Sequence, residues 1–180
     1  TTELNLSPAI DWTVSYWHRV DSWTSGQNYL LRKATTDVSV VWSTGWQAST
    51  RPGFNLYGTG GVIGGTNVPA NTCPLGTWYH YVVAYRASDR ILRQYVNGVF
   101  HSASAPMAAA DATTSNTPLY FGTRGTVNLV NSGPGQLARV GIWTTRELSA
   151  SDVAELYRDG KAVLYVQLST GVRGGIKSWW

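Results

Sequence analysis

The chain has 180 residues, enough for one domain with a substantial hydrophobic core. Only 13% of the residues are charged, whereas Trp (9) and Gly (19) are frequent, a profile typical of many short strands joined by glycine-rich turns. The net charge of +4 comes from basic side chains scattered singly along the chain, which argues against a nucleic-acid partner. The chain has no apolar run long enough for a transmembrane helix, and its single Cys73 cannot form an intrachain disulfide.

The first half of the chain reads as a series of short strands. Residues 11–20 alternate, with Trp12, Val14, Tyr16 and His18 on one face, which predicts a strand. Residues 28–34 and 38–43 predict a hairpin that turns at 35–37. Residues 45–52 are expected to be a loop, 53–58 a short strand and 59–72 a glycine-rich loop. Because prolines and no helix follow that last loop, it does not fit a phosphate-binding loop.

Residues 76–100 predict the centre of an antiparallel sheet. The aromatic and β-branched run from Trp78 to Arg86 favours a largely buried strand, and a second strand returns from Arg90 to Val96. Asn97-Gly98 then suits a type I′ turn, because both residues tolerate positive φ. The pattern therefore indicates a three-stranded meander.

The second half contains the one convincing helix. After strands at 118–122 and 137–143, Ser149 and Asp152 have the spacing of a capping box, and Gly160 is expected to end the helix. Residues 162–168 predict a last strand, and a basic tail ends at Trp179-Trp180. Ten to twelve strands and one short C-terminal helix make an all-β, two-sheet antiparallel sandwich the expected fold.

Five segments, in order, carry a family resemblance. DWTVSYW resembles "FTVSFW", GTWYHYVVAY resembles "G-x-W-H-H-V-A-x-T-Y", and ILRQYVNGV, PLYFG and GQLARVGIWTTRELSASDVAELY match the three motifs that follow. The pattern is that of laminin-G-like domains in the concanavalin A-like lectin and glucanase superfamily. The resemblance implies a jelly-roll sandwich over residues 1–160. Residues 161–180 would be a C-terminal strand and a Trp-ended tail that pack on the same domain or on a partner.

Departures from the family pattern bear on metal binding. Ala138 and Arg139 replace the acidic pair that the family has at this point, Arg86 replaces the Asp of "T-Y-D-G", and the acidic first strand is absent. Calcium needs several oxygen ligands, so the resemblance implies no metal and no other cofactor. Calcium bound by backbone carbonyls together with Asp11, Asp21 or Asp37 stays open.

The residues for catalysis are missing from the sequence. Glycoside hydrolysis needs two carboxylates facing the bond, but the only glutamates are Glu3, Glu147 and Glu155, at the terminus and around the helix. The few histidines accompany no nucleophile-elbow motif, and His80 is expected to be a packed strand residue. The sequence therefore predicts that the protein is not an enzyme.

The tryptophans are the strongest candidates for a binding role. Trp12, Trp78 and Trp143 match strand positions of the family and are expected in the core. Trp23 and Trp46 fall in predicted polar loops, where exposed rings could stack on sugar faces. Hydrogen-bonding side chains nearby complete the predicted ligand site, namely Arg51, Asn55 and Tyr57. The alternative is that these rings only cover the ends of the sandwich.

Two functions are consistent with these features. The first is a non-catalytic module that recognises a glycan or protein through loop aromatics. The alternative is a structural or adhesion subunit, such as a virion decoration or fibre protein, with a homo-oligomer or larger assembly formed through an edge strand and the C-terminal tail. Trp179 and Trp180 would then contact the partner. Either function implies an extracellular, virion or cell-surface location.

Overall fold

The protein is a sandwich of two antiparallel sheets. The computed structural model describes residues 4–22, 28–34, 40–47, 51–108, 116–122 and 135–180. The strands are β1 (Trp12–Val20), β2 (Asn28–Ala34), β3 (Val40–Gln47), β4 (Arg51–Gly58), β5 (Gly61–Asn67), β6 (Tyr79–Arg86), β7 (Ile91–Val96), β8 (Val99–Ala103), β9 (Leu119–Phe121), β10 (Gly135–Trp143) and β11 (Ile176–Trp179). One sheet has the order β11-β10-β1-β6-β7-β8 and the other β5-β4-β3-β2-β9. The predicted all-β sandwich is confirmed.

The predicted meander forms the centre of the six-stranded sheet. β6 pairs with β1 on one side and with β7 on the other. The β7–β8 turn has φ values of 51° at Asn97 and 79° at Gly98, as a type I′ turn requires. Asn97 also binds the neighbouring strand: its backbone N–H donates to the His80 carbonyl at 2.8 Å, and its Oδ1 accepts from the His80 N–H at 3.0 Å.

Aromatic residues dominate the core between the sheets. Trp12, which is fully buried on β1, lies 5.1 Å from Phe54 of β4 and 5.2 Å from Tyr85 of β6, measured between ring centroids. These contacts join the inner faces of both sheets, so Trp12 is a core residue as predicted. Trp143 is also fully buried, but it belongs to a second cluster on the outer face of the six-stranded sheet.

That outer face is covered by the C-terminal segment. Helix α1 (Ala150–Tyr157) has the predicted capping box, in which the Ser149 Oγ accepts from the Asp152 N–H and Asp152 accepts from the Ser149 N–H. The helix ends at Tyr157, earlier than Gly160, because Arg158 takes the left-handed conformation at the C-cap. A second, one-turn helix, α2 (Thr170–Arg173), follows. No helix among the described residues is both long and apolar enough to cross a membrane.

The last strand of the chain is not where the sequence predicts it. Instead of a strand at 162–168, Tyr165–Gln167 form one turn of 3₁₀ helix, and the Leu164 N–H is capped by the Gln167 side chain at 2.8 Å. The edge of β10 is occupied by β11, at residues 176–179. Buried residues of the C-terminal segment, including Val163, Leu168 and Val172, join the outer cluster, so this segment is integral to the fold. The domain division at residue 160 stays a prediction.

The glycine-rich segment 59–72 contains a strand that the sequence analysis missed. β5 pairs with β4 over residues 61–67. Glycines are needed there for space, because a Cβ on Gly64 would lie 1.9 Å from the Met107 Sδ and one on Gly65 would lie 2.4 Å from the Asn55 Oδ1. The predicted turn at 35–37 lies outside the described residues.

Candidate functional site

Of the two tryptophans predicted to bind ligand, Trp23 and Trp46, the structure describes only Trp46. Trp46 lies in β3 rather than in a loop, and only 1% of its surface is exposed. Its ring packs edge-on against His18 of β1, with 5.3 Å between ring centroids. The predicted exposed loop position of Trp46 is therefore wrong, and its role in ligand binding stays a prediction. Trp23 lies outside the described residues.

The three polar candidates near Trp46 do lie together. Arg51, Asn55 and Tyr57 occupy alternate positions of β4, on the face opposite the buried Phe54 and Leu56. All three are half-buried, so this face is a shallow polar surface. Their role in ligand binding stays a prediction.

A bulge in β10 organises a different part of the surface. The pairing of β1 with β10 shifts register between Ser15, which faces Gly141, and Trp17, which faces Ala138. Within the bulge, Arg139 has a φ of 52°, a left-handed conformation that costs a non-glycine residue about 1 kcal/mol. Bulges of this kind often re-aim side chains beside functional sites. In this protein, Ala138 borders a cleft on one side and a pocket on the other.

The first of these is the Trp78 cleft, of about 260 Å³, lined by Trp17, Trp78, Ala138, Gly160 and Ala162. Trp78 precedes β6 and 36% of its surface is exposed, so its predicted position in the core is wrong. It follows two exposed residues, Gly76 and Thr77, and directly precedes the start of β6. The cleft therefore presents an accessible indole.

A stack of three rings supports the floor of the Trp78 cleft. Trp17 lies 5.3 Å from His80 and 5.8 Å from Tyr157 of α1, measured between ring centroids, with interplanar angles of 30° and 18°. The His80 Nε2 and the Ser15 Oγ are hydrogen-bonded at 2.8 Å. Burial lowers the pKa of His80 from 6.5 to about 3, so this histidine is neutral at physiological pH. As predicted, His80 is a packed strand residue.

The second feature is the Arg139 pocket, of about 390 Å³, between the edges of the two sheets. It is lined by Phe121, Leu137, Ala138, Arg139, Val140 and Trp180. Phe121 and Trp180 are 41% and 49% exposed, and their rings meet edge to face at 5.3 Å. The pocket is therefore lined by two open aromatic rings and by Arg139.

The tail tryptophans dock on this domain. Trp179 is half-buried and packs edge-on against Trp143, with 6.2 Å between centroids, above Gly141. Trp180 exchanges two backbone hydrogen bonds with Val140, each of 2.9 Å. A partner-binding role for either residue stays a prediction, and the exposed ring of Trp180 is available for one.

The acidic side chains considered as calcium ligands, and Glu147, each contact another group of the protein where the structure describes them. Glu147 pairs with Arg86 at 2.6 Å, so the arginine that replaces the family's Asp has a carboxylate partner. Asp11 accepts from the Ala87 N–H at 2.8 Å, and Asp21 pairs with Arg19 at 2.7 Å, whereas Asp37 lies outside the described residues. In the described part of the chain, no group of three or more His, Cys, Asp or Glu side chains is placed to hold a metal ion.

The fold and its covered outer sheet define the class of protein: a lectin-like jelly-roll sandwich. A family model for laminin G domains of the concanavalin A-like lectin/glucanase superfamily matches residues 1–154. The chain therefore belongs to this family, as its sequence motifs predicted. No curated protein sequence matches it.

Solved structures share the fold at low sequence identity. A heptameric SAP-like pentraxin from Limulus polyphemus superposes with a TM-score of 0.62 at 16% identity, covering 83% of this chain and 70% of the pentraxin. A proposed carbohydrate-binding protein from Bacteroides ovatus gives 0.69 at 14% identity, covering 98% of this chain and 46% of that one. The binding domain of botulinum neurotoxin serotype D gives 0.64 at 12% identity, with 84% and 38% covered. The chain thus spans less than half the length of the last two.

Proposed function

We propose that this protein is a non-catalytic recognition module that binds carbohydrate, with the Trp78 cleft as its site. The observation that carries the proposal is the accessible indole of Trp78 on the wall of a cleft whose floor is fixed by Trp17. Aromatic faces pack against the C–H faces of sugar rings, and a rigid ring loses little conformational entropy on binding.

The charge distribution supports binding without catalysis. The residues that line the Trp78 cleft include no carboxylate. Glu147 is held by Arg86 and Arg93, and Glu155 accepts hydrogen bonds from the backbone and side chain of Ser169. Hydrolysis of a glycoside needs two carboxylates across the bond, and these two glutamates are committed to structural contacts. Lectin-like relatives of the same fold are consistent with recognition, and the proposal assigns the module to an extracellular, virion or cell surface.

The test is a glycan array, followed by calorimetry on the strongest ligand. Replacing Trp78 by Ala should weaken binding at least about tenfold, because the stacking surface is lost, whereas Trp78→Phe should retain part of the affinity. Phe100→Ala is the matched control, since Phe100 is also an exposed aromatic residue but lies on β8, at the opposite edge of the sheet from β11. Binding that is indifferent to Trp78, or no binding to any glycan, would contradict the proposal.

A structural or adhesion subunit is the second candidate, favoured by the surface beside β11. This strand is at the sheet edge, and it is flanked by three consecutive exposed apolar residues, Leu164, Tyr165 and Val166. Exposed edges and apolar patches favour association. Sedimentation of wild-type protein and of Val166→Asp tests this function: a concentration-dependent oligomer that the substitution dissolves, without glycan binding, would support it, and a monomer at all concentrations would contradict it.

A further inference from the structure

We propose that the Arg139 pocket is an anion subsite, which binds the carboxylate or sulfate group of an acidic saccharide. This inference rests on the proposed carbohydrate-binding function and specifies the class of ligand. Four observations carry it: the missing counterion of the arginine, its left-handed backbone, the walls of the pocket, and the position of the pocket beside the Trp78 cleft.

Arg139 is a half-buried cation without a counterion. Its guanidinium has no ion pair and no hydrogen-bond acceptor among the described residues, whereas Arg19, Arg86, Arg93 and Arg146 each contact a carboxylate. A planar guanidinium matches a carboxylate or sulfate through paired N–H donors, and no described residue occupies those donors of Arg139. An anionic ligand would complete this site.

The backbone at Arg139 adds a second argument. The residue keeps a left-handed φ of 52° inside the bulge, where glycine would be unstrained. Strain of about 1 kcal/mol that persists in a folded protein is a reason to look for a function of the side chain. The bulge lies at the pocket, because Arg139 is one of the residues that line it.

The walls of the pocket suit a sugar ring rather than a free inorganic anion. Phe121 and Trp180 present two exposed rings at 73° to each other, beside the apolar Leu137 and Val140. The two backbone hydrogen bonds between Trp180 and Val140 fix the position of the last residue. A small anion would leave these aromatic surfaces uncovered, whereas a sugar ring would cover them.

Ala138 lines both the Arg139 pocket and the Trp78 cleft, so the two sites are neighbours. A ligand that uses both would be an oligosaccharide, with one unit stacked on Trp78 and an acidic unit at Arg139. The net charge of +4 favours the approach of such a polyanionic chain.

Calorimetry with three oligosaccharides of matched length tests the inference: neutral galactan, oligogalacturonate and sulfated dextran. Wild-type protein should bind at least one acidic chain about tenfold more tightly than the neutral one, and added salt should reduce this preference. Arg139→Gln should abolish the preference. Whichever acidic chain shows it identifies the anionic group as carboxylate or sulfate.

Arg90→Gln is the control, because it removes the same charge from another arginine with positive φ, 59°, in the turn between β6 and β7. Thermal unfolding of each variant checks that the fold is intact. Equal affinity for neutral and acidic chains, or equal effects of the two substitutions, would overturn the anion subsite while leaving Trp78-dependent binding intact. If no saccharide binds, both this inference and the proposed function are overturned.

Discussion

Two buried histidines make the stability of this fold sensitive to mild acid. His18 lies between the sheets, against Tyr16 and Trp46, and neither of its ring nitrogens has a hydrogen-bond partner among the described residues. His80 lies on the other face of the same sheet, beneath Trp17. Burial is the main cause that lowers the pKa of both from 6.5 to about 3.

The sign and size of the effect follow from proton linkage. Between about pH 6.5 and pH 3 the unfolded chain binds protons at these two positions and the folded protein does not, so the free energy of unfolding falls as the pH falls. Moving from pH 7.5 to pH 5 should cost about 2 kcal/mol for each histidine, or about 4 kcal/mol together. The Asp89 carboxyl does not interfere, because Arg93 keeps its pKa below the usual value and its contribution is lost only at lower pH.

Urea unfolding at pH 7.5 and pH 5.0 measures this loss. Replacing His80 by Gln should reduce the loss from about 4 to about 2 kcal/mol, because one of the two titrating groups is gone. Val82→Ala is the matched control, since Val82 is buried on the same face of β6 and its truncation destabilises the protein without removing a titrating group. The reasoning is refuted if wild-type stability does not change over this range, or if His80→Gln loses as much as the wild type.

Two further substitutions test individual contacts in the interior: the close packing around Gly141 and the buried hydrogen bonds of Gln94. Gly141→Ala should destabilise the protein by about 1–3 kcal/mol, because the new Cβ would lie 2.7 Å from the Trp143 ring and 2.9 Å from Trp179. Urea unfolding measures this loss, and unchanged stability would show that the packing is loose. Gln94→Leu should cost about 1–3 kcal/mol, because Gln94 donates to the Thr66 carbonyl at 2.9 Å and accepts from Ser102 at 2.7 Å in the sandwich interior. A more stable leucine variant would contradict that reading.

Local chemistry made much of the fold predictable. The Asn97-Gly98 turn and the Ser149/Asp152 capping box each depend on a few neighbouring residues, so their sequence signals carry directly into structure. The alternating pattern at residues 11–20 likewise identified β1 and its inward face. These elements need no information about distant parts of the chain.

The burial of individual tryptophans was less predictable, because it depends on where strands end. Trp46 continues the inward alternation of Trp42 and Thr44, a signal that β3 runs past Ser43, and the polar residues around it concealed that signal. Trp78 matches a family strand position, but β6 begins one residue later and leaves the ring exposed. An extension of β3 past Ser43 to Gln47 thus buried Trp46, and a start of β6 one residue later than predicted exposed Trp78.

Long-range pairing accounts for the error at the C-terminus. Residues 162–168 have the apolar content of a strand, but β11 is formed by Ile176–Trp179, which fit the space that Gly141 leaves beside Trp143. Nothing local in the sequence shows that a glycine in one strand selects a tryptophan some forty residues later. The Arg139 pocket was missed for the same reason, since it joins β9, β10 and the last residue of the chain.

Two arginines, Arg86 and Arg139, stand where the family has acidic residues, and only one of them has an ion-pair partner among the described residues. Arg86, which stands where the family has an Asp, forms an ion pair with Glu147. The changed charge at this position is therefore balanced within the protein. Arg139 has no such partner in the described part of the chain, and the strained bulge holds it beside open aromatic rings. Glu147 therefore accounts for Arg86 within the protein, whereas no described residue accounts for Arg139. The difference between the two arginines is therefore the reason to regard Arg139 as a residue for binding an anion rather than as a second structural replacement.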